Sequence, residues 1–273
     1  MKDMTGFEEF LMQEEKGKLT VEKYMRDVRA FLNWLGDREL SKSQTLAYKG
    51  ELAEKYAVAS ANSMISSVNS YLTFIERSDC RVKAIKQQRR AFLPEEKELT
   101  KEEYYRLIKA AEQKPRLSLL LQTICATGIR VSEHRFITVE AAWAGRAEVR
   151  LKGKSRVVFL PKKLCRALLK YAKAQNISEG SIFVTAAGKP MDRSNIWTEM
   201  KKLCDAARVR REKVFPHNLR HLFARVFYGM EKDIVRLADI LGHSSINTTR
   251  IYTMESGQIH RRQIEKMPLL FTT

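Results

Sequence analysis

Apolar residues recur at helical spacing in two stretches of the first third of the chain. In TVEKYMRDVRAFLNWLGD, Val21, Tyr24, Val28, Phe31, Leu32 and Leu35 form one stripe; Thr20 is the expected cap and Gly36 the stop. In ANSMISSVNSYLTFIERS, Met64, Ile65, Val68, Tyr71, Leu72 and Ile75 mark a buried face. Ser63, Ser66, Ser67 and Asn69 mark an open one, either simply solvated or small enough to lie close to a partner's backbone. The pattern predicts an all-helical unit over residues 1–82.

Residues 83–98 change character and read as a linker. Arg81, Lys83, Lys86, Arg89 and Arg90 come without an acid, after which Pro94 and an acidic run follow. A third helix is expected from Lys101 to about Gln113, with Thr100 and Glu103 spaced as a capping box and Leu99 and Tyr104 as a hydrophobic staple. LSLLLQTICAT should be a helix buried all round, stopped by Gly128 so that Arg130 is presented at the next turn. Two β-rich runs, Glu148–Leu151 and Arg156–Leu160, flank Gly153 and predict a hairpin. KKLCRALLKYAKAQ reads as a helix, SIFVT as a short strand, and SNIWTEMKKLCDAARV as a helix whose Trp197, Met200 and Leu203 face the core. A helix should start at Pro216. Another should follow Gly242, capped by Ser244 or Ser245 and carrying Tyr252. The fold expected is mainly α: an N-terminal helical bundle, then a mostly helical second domain, residues 99–273, with a small antiparallel sheet.

Charge narrows the partner. Fifty Lys and Arg against 32 Asp and Glu leave a formal net charge of +18 in 273 residues, the footprint of a protein that meets a polyanion, of which nucleic acid is the first choice. No apolar run reaches the ~20 residues needed to span a bilayer and the first residues do not read as a signal peptide, so a cytoplasmic, nucleoid-associated protein is expected. The four cysteines, Cys80, Cys125, Cys165 and Cys204, are scattered and read as free, packed thiols.

The candidate chemistry lies between Phe215 and Thr253. Tyr252 is a nucleophile able to form an aryl phosphodiester, His217 and His243 can donate hydrogen bonds or move protons, and Arg220 offers a fork matched to two phosphate oxygens. Arg130 supplies a second permanent cation. Glu133, three residues on, is placed either to support one of these groups or to be solvated at the surface. His217 and His221 also have the i, i+4 spacing of a metal pair, but no carboxylate or cysteine is placed to complete the ligands and the arginines would repel a cation.

TGIRVSE, PHNLRH and LGHSSINTTRIYT, in this order and spacing, resemble the tyrosine recombinase (phage integrase) family, in a compact Xer-like form without an arm-binding domain. The resemblance covers most of the second half and, in pattern only, the first, where it implies a core-binding domain that clamps DNA. It implies cutting and rejoining of double-stranded DNA through a 3′-phosphotyrosyl intermediate, with Arg130, His217, Arg220, His243 and Tyr252 in the site and no cofactor or metal. It further implies a hairpin lysine as general acid; Lys152, directly before Gly153, is favoured over Lys154. Lys83, Lys86, Arg89, Arg90, Lys154 and Arg156 are expected to contact phosphates. Self-association as a tetramer on paired sites follows from the same resemblance, with the apolar tail Leu269–Phe271 either docked on a neighbouring copy, as the resemblance implies, or folded back on its own subunit. Integration or excision of a mobile element and Xer-like resolution both remain open. Two other classes do as well: a type IB topoisomerase, which shares the chemistry but relaxes supercoils, and a non-catalytic DNA-binding regulator.

Overall fold

A computed structural model describes residues 4–86, 98–151, 154–243, 245–252 and 265–266. The chain is mostly helical and divides into two compact units, Met1–Arg89 and Arg90–Thr273.

The first unit is built on α1 (Met4–Gln13), α2 (Lys18–Leu35), α3 (Lys42–Lys55) and α4 (Val58–Phe74). The stripe on α2 is buried through Val21, Val28, Phe31 and Leu35. Its start differs from the expected one. Gly17 is the cap, and its carbonyl accepts from the amides of Thr20 and Val21, which puts Thr20 inside the helix. On α4 the polar face is only partly open. Ser67 is fully buried and donates to Asp27 Oδ2 at 2.9 Å, while Lys23 Nζ lies 3.2 Å from the Ser67 hydroxyl. Asn69 exchanges two hydrogen bonds with Val82, and Asn62 two with Ile85. These amides fasten residues 82–85 to α4, and of the four residues expected on the open face Ser63 and Ser66 are the exposed ones.

In the second unit, α5 (Lys101–Ala110) starts with the expected capping box: Thr100 Oγ1 accepts from the Glu103 amide, and the Glu103 carboxylate accepts from the Thr100 amide. α6 (Pro115–Thr127) is buried on nearly every side and forms the centre of the unit. α7 (Val139–Ala144) leads into the hairpin β1 (Arg146–Leu151) and β2 (Lys154–Phe159), paired antiparallel from Arg146↔Phe159 to Leu151↔Lys154. Ala147, Val149 and Val158 face the core, whereas Val157 and Phe159 lie open.

α8 (Lys162–Ala174) covers one flank. Residues 181–185, expected as a strand, form only isolated bridges, Thr138↔Ser181 and Val184↔Pro190, although Ile182 and Phe183 are wholly buried. The long helix expected after Arg193 breaks into α9 (Arg193–Lys201) and α10 (Cys204–Ala207). Met200 and Leu203 join the core, but Trp197 is half exposed with the Lys201 ammonium 5.0 Å from its ring. α11 (Pro216–Glu231), α12 (Ile234–Leu241) and α13 (Ile246–Thr249) complete the unit, and a 3-10 turn, Arg250–Tyr252, continues α13. All four cysteines are free.

Candidate active site

The site is assembled where α6 and α12 end beside the first turns of α11. α6 stops at Gly128, which has φ +65°; a Cβ there would lie 2.5 Å from Phe223 Cδ1, so the chain turns in a space only glycine fits. The freed Gly128 carbonyl then accepts from Arg220 Nη1 at 2.6 Å. α12 stops in the same way at Gly242, and the carbonyl of its last residue, Leu241, accepts from Arg220 Nη2 at 2.7 Å. Arg220 is 1% exposed, so its charge sits inside the protein against two helix ends. Burial, then repulsion from Arg130, pulls its pKa down to about 10, which leaves it cationic at neutral pH. Arg225, further along α11, pairs with Glu98 and donates to Leu99 O, anchoring that helix to the start of the unit.

Arg130 is held differently. Its side chain is 41% exposed, with Nη1 donating to Glu133 Oε1 at 2.9 Å and Nη2 reaching toward Gly242 O at 3.4 Å. Glu133 is 1% exposed, which excludes a solvated surface role, and its Oε2 also accepts from the Arg130 amide at 2.7 Å.

His243 follows Gly242 directly. Its Nε2 lies 3.0 Å from Arg220 Nη2 and its Nδ1 2.9 Å from Thr249 Oγ1. A guanidinium only donates, so Nε2 must accept and the ring proton sits on Nδ1, pointed at Thr249. Burial and the charges of Arg220, Arg130 and Arg156 push the His243 pKa down to about 4. Ser245 Oγ caps α13 by accepting from the Asn247 amide, and the 3-10 turn then brings in Tyr252, which is 4% exposed. Its ring stacks on His243 at 6.1 Å and meets His221 edge-on at 4.9 Å.

The structure therefore brings Arg130, Glu133, Arg220, His243 and Tyr252 together. His217 is placed at one remove, because its ring packs on His221 at 4.6 Å and it is His221 that touches the tyrosine. His217 is exposed, yet desolvation of its packed part, followed by the charges of Arg220, Arg130 and Arg193, lowers its pKa. The His221 pKa is pushed down to about 4 by burial and by His217, Arg225 and Arg220, and its Nε2 is buried without a hydrogen-bond partner among the described residues. His221 and Thr249 were not among the residues expected from sequence. The spacing of His221 from His217 was legible, but its meaning depends on Tyr252 arriving from thirty-one positions away.

Arg156 corrects an expectation. It does not present a free cation to a phosphate: its side chain is 14% exposed, Nη2 pairs with Glu133 Oε2 at 2.6 Å, and Nη1 donates to Ile240 O at 2.6 Å. Lys83 and Lys86 are exposed on the first unit. Lys152, Arg89, Arg90 and the tail segment Leu269–Phe271 lie outside the described residues, as does the side chain of Lys154.

Both units of the chain resemble known proteins. Residues 97–258 match the phage integrase family, and residues 4–79 match the phage integrase N-terminal SAM-like domain. The chain is 30% identical to the tyrosine recombinase XerA of Thermococcus kodakarensis, over 97% of this chain and 94% of that protein. Among solved structures, a XerA recombinase superposes with a TM-score of 0.55 at 25% identity, covering 98% of both chains. A lambda integrase tetramer bound to a Holliday junction shares the fold with a TM-score of 0.73 at 19% identity, covering 91% of this chain and 75% of that one.

Proposed function

The chain belongs to the phage integrase family of tyrosine recombinases, and from that premise we propose that it cuts and rejoins DNA at specific sites, with Tyr252 as the nucleophile. The observation that carries the assignment of residues is the convergence of Arg130, Arg220, His243 and Tyr252, from segments separated in sequence, around the carbonyl ends of α6 and α12.

The chemistry follows from charge. As the Tyr252 oxygen bonds to phosphorus and the bond to the 5′ oxygen breaks, negative charge spreads over the non-bridging oxygens. Buried Arg220 and the partly exposed Arg130 hold that charge from fixed positions. His243 Nε2 accepts from Arg220 in the free protein, so it contributes as a donor once phosphate takes over Arg220 and Nε2 gains the proton, either by protonation or by reversal of the Thr249 hydrogen bond. The phenol proton leaves toward His221, the ring in contact with Tyr252, and His217 lies behind it as the next group. A hairpin lysine, Lys152, protonates the departing 5′ oxygen. The phosphotyrosyl diester is close in energy to the bond it replaced, so a 5′ hydroxyl of a second strand reverses the step and joins the strands.

A tetramer on paired sites, with the C-terminal tail passed between copies, is the assembly this reading implies; a solved relative is itself a tetramer on a Holliday junction. No helix among the described residues is long and apolar enough to cross a membrane, and the reading places the protein on DNA in the cytoplasm.

The test uses genomic DNA of the source organism trapped covalently on the protein, whose recovered site is then built into a nicked duplex. The wild type should give a protein–DNA adduct on denaturing gels. Tyr252→Phe should bind the duplex equally and give none. An adduct with the phenylalanine variant would remove Tyr252 from the role.

A further inference from the structure

The inward face of β2 carries Arg156 and Val158, so strand alternation turns a permanent cation toward the core rather than toward solvent. Such a group is unfavourable to bury unless it is paired and hydrogen-bonded. Arg156 meets that condition with two partners from distant segments. Nη2 reaches Glu133 Oε2 and Nη1 reaches Ile240 O, both at 2.6 Å. Its stem lies so close to Gly242 that a Cβ on that residue would stand 2.5 Å from Arg156 Cδ and 2.8 Å from Nε.

These two partners are the supports of the phosphate clamp. Glu133 uses Oε1 to hold Arg130 Nη1 and shares Oε2 between the Arg130 amide and Arg156. Ile240 precedes the residues whose carbonyls face the two clamp arginines, Leu241 toward Arg220 and Gly242 toward Arg130. Without the Arg156 fork, one oxygen of a carboxylate that is 1% exposed loses a charged partner, and Glu133 is free to turn further onto Arg130. The more exposed of the two clamp cations then loses its aim.

We propose that Arg156 is a positioning residue for strand cleavage, a brace from the hairpin strand to Glu133 and the end of α12 that sets where Arg130 points. The inference rests on the recombinase reading and deepens it. It also ties the clamp to the strand that follows Lys152 in sequence, four residues before Arg156. A lysine cannot replace the brace, because a single ammonium does not present the two-armed planar fork that meets both acceptors.

The experiment compares wild type, Arg156→Lys and Arg156→Gln in single-turnover cleavage at saturating protein, on two duplexes carrying the site recovered by covalent trapping. One has an ordinary scissile phosphate. The other has a methylphosphonate there, which removes one of the charges that Arg130 holds. On the ordinary duplex both variants should cleave about 10- to 100-fold more slowly, the loss typical when a supporting partner is removed from behind a reacting-site group. On the methylphosphonate the gap to wild type should largely close, an outcome that a general loosening of the fold does not produce. Equal losses on both duplexes would overturn the proposal in favour of plain scaffolding. Unchanged cleavage, or weaker binding with an unchanged rate at saturation, would overturn it too, the latter by making Arg156 a DNA contact. Melting curves keep the assay temperature below the transition of each variant. Failure of the wild type itself to form the adduct would count against the recombinase reading and not against the brace.

Discussion

Replacing Gly128 by alanine separates the shape of the site from its chemistry. The residue has φ +65°, and the left-handed conformation costs an alanine about 1–2 kcal/mol. The new methyl would stand 2.5 and 2.7 Å from two carbons of the Phe223 ring and 2.9 Å from Leu241 Cδ2. Phe223 is only partly buried and can shift, but Leu241 is fully enclosed, so overpacking adds about 1–3 kcal/mol. The sum, about 2–5 kcal/mol, lowers the melting temperature of a unit this size by about 4–20 °C. Gly145→Ala is the control, since it has φ +69° with no atom of the described residues within 4 Å of its Cβ and so carries the backbone term alone. Activity should fall further than stability does. Gly128 O is a seat of Arg220 and Arg130 follows two residues later, so a shift approaching 1 Å displaces both cations, and a displacement of that size costs about 100-fold in rate. Thermal denaturation by circular dichroism and cleavage at 25 °C, where the variant remains folded, read the two effects. Gly128→Ala melting with Gly145→Ala and cleaving like wild type would refute the reasoning.

The remaining predictions concern protons. His221 and His243 are both held near pKa 4 in the folded chain, against about 6.5 when unfolded, so protons prefer the unfolded chain. Their contribution to stability is therefore complete above pH 6.5 and lost as pH falls toward 4; the melting temperature should drop across that window, and His221→Gln, His243→Gln should flatten the drop. A 5′-bridging sulfur at the scissile position, which leaves without protonation, should restore cleavage to Lys152→Ala; restoration of Lys154→Ala instead would move the general acid along the hairpin.

Local signals carried much of the fold. The stripe on α2, the capping box at Thr100 and Glu103, the enclosed α6 and the start of α11 at Pro216 each depend on neighbours within a few positions, and each was legible. What sequence misread depends on distant partners. Ser67 looks like surface until Asp27 and Lys23 meet it, and Trp197 looks like core until the helix breaks after Lys201. In the site, residue types and spacing named the groups that converge. Burial reversed the reading of Arg156, because a basic residue on a hairpin looks like a phosphate contact until Glu133 and Ile240 are seen to occupy its nitrogens. His221 was legible as a spacing and not as a contact.

The groups that hydrogen-bond Arg220 are two main-chain carbonyls at helix ends and an imidazole nitrogen, rather than an acid. Carbonyl dipoles at a helix C-terminus stabilise a cation without cancelling its charge, and they neither titrate nor exchange with ions in solution. Among the described residues no anion is hydrogen-bonded to this guanidinium for an arriving phosphate to displace. Salt screens the exposed lysines and arginines that capture a duplex, whereas the floor of the site lies within the protein where screening is weak. Ionic strength thus becomes a control on whether DNA arrives, and the dipoles of α6 and α12 keep what it meets on arrival the same.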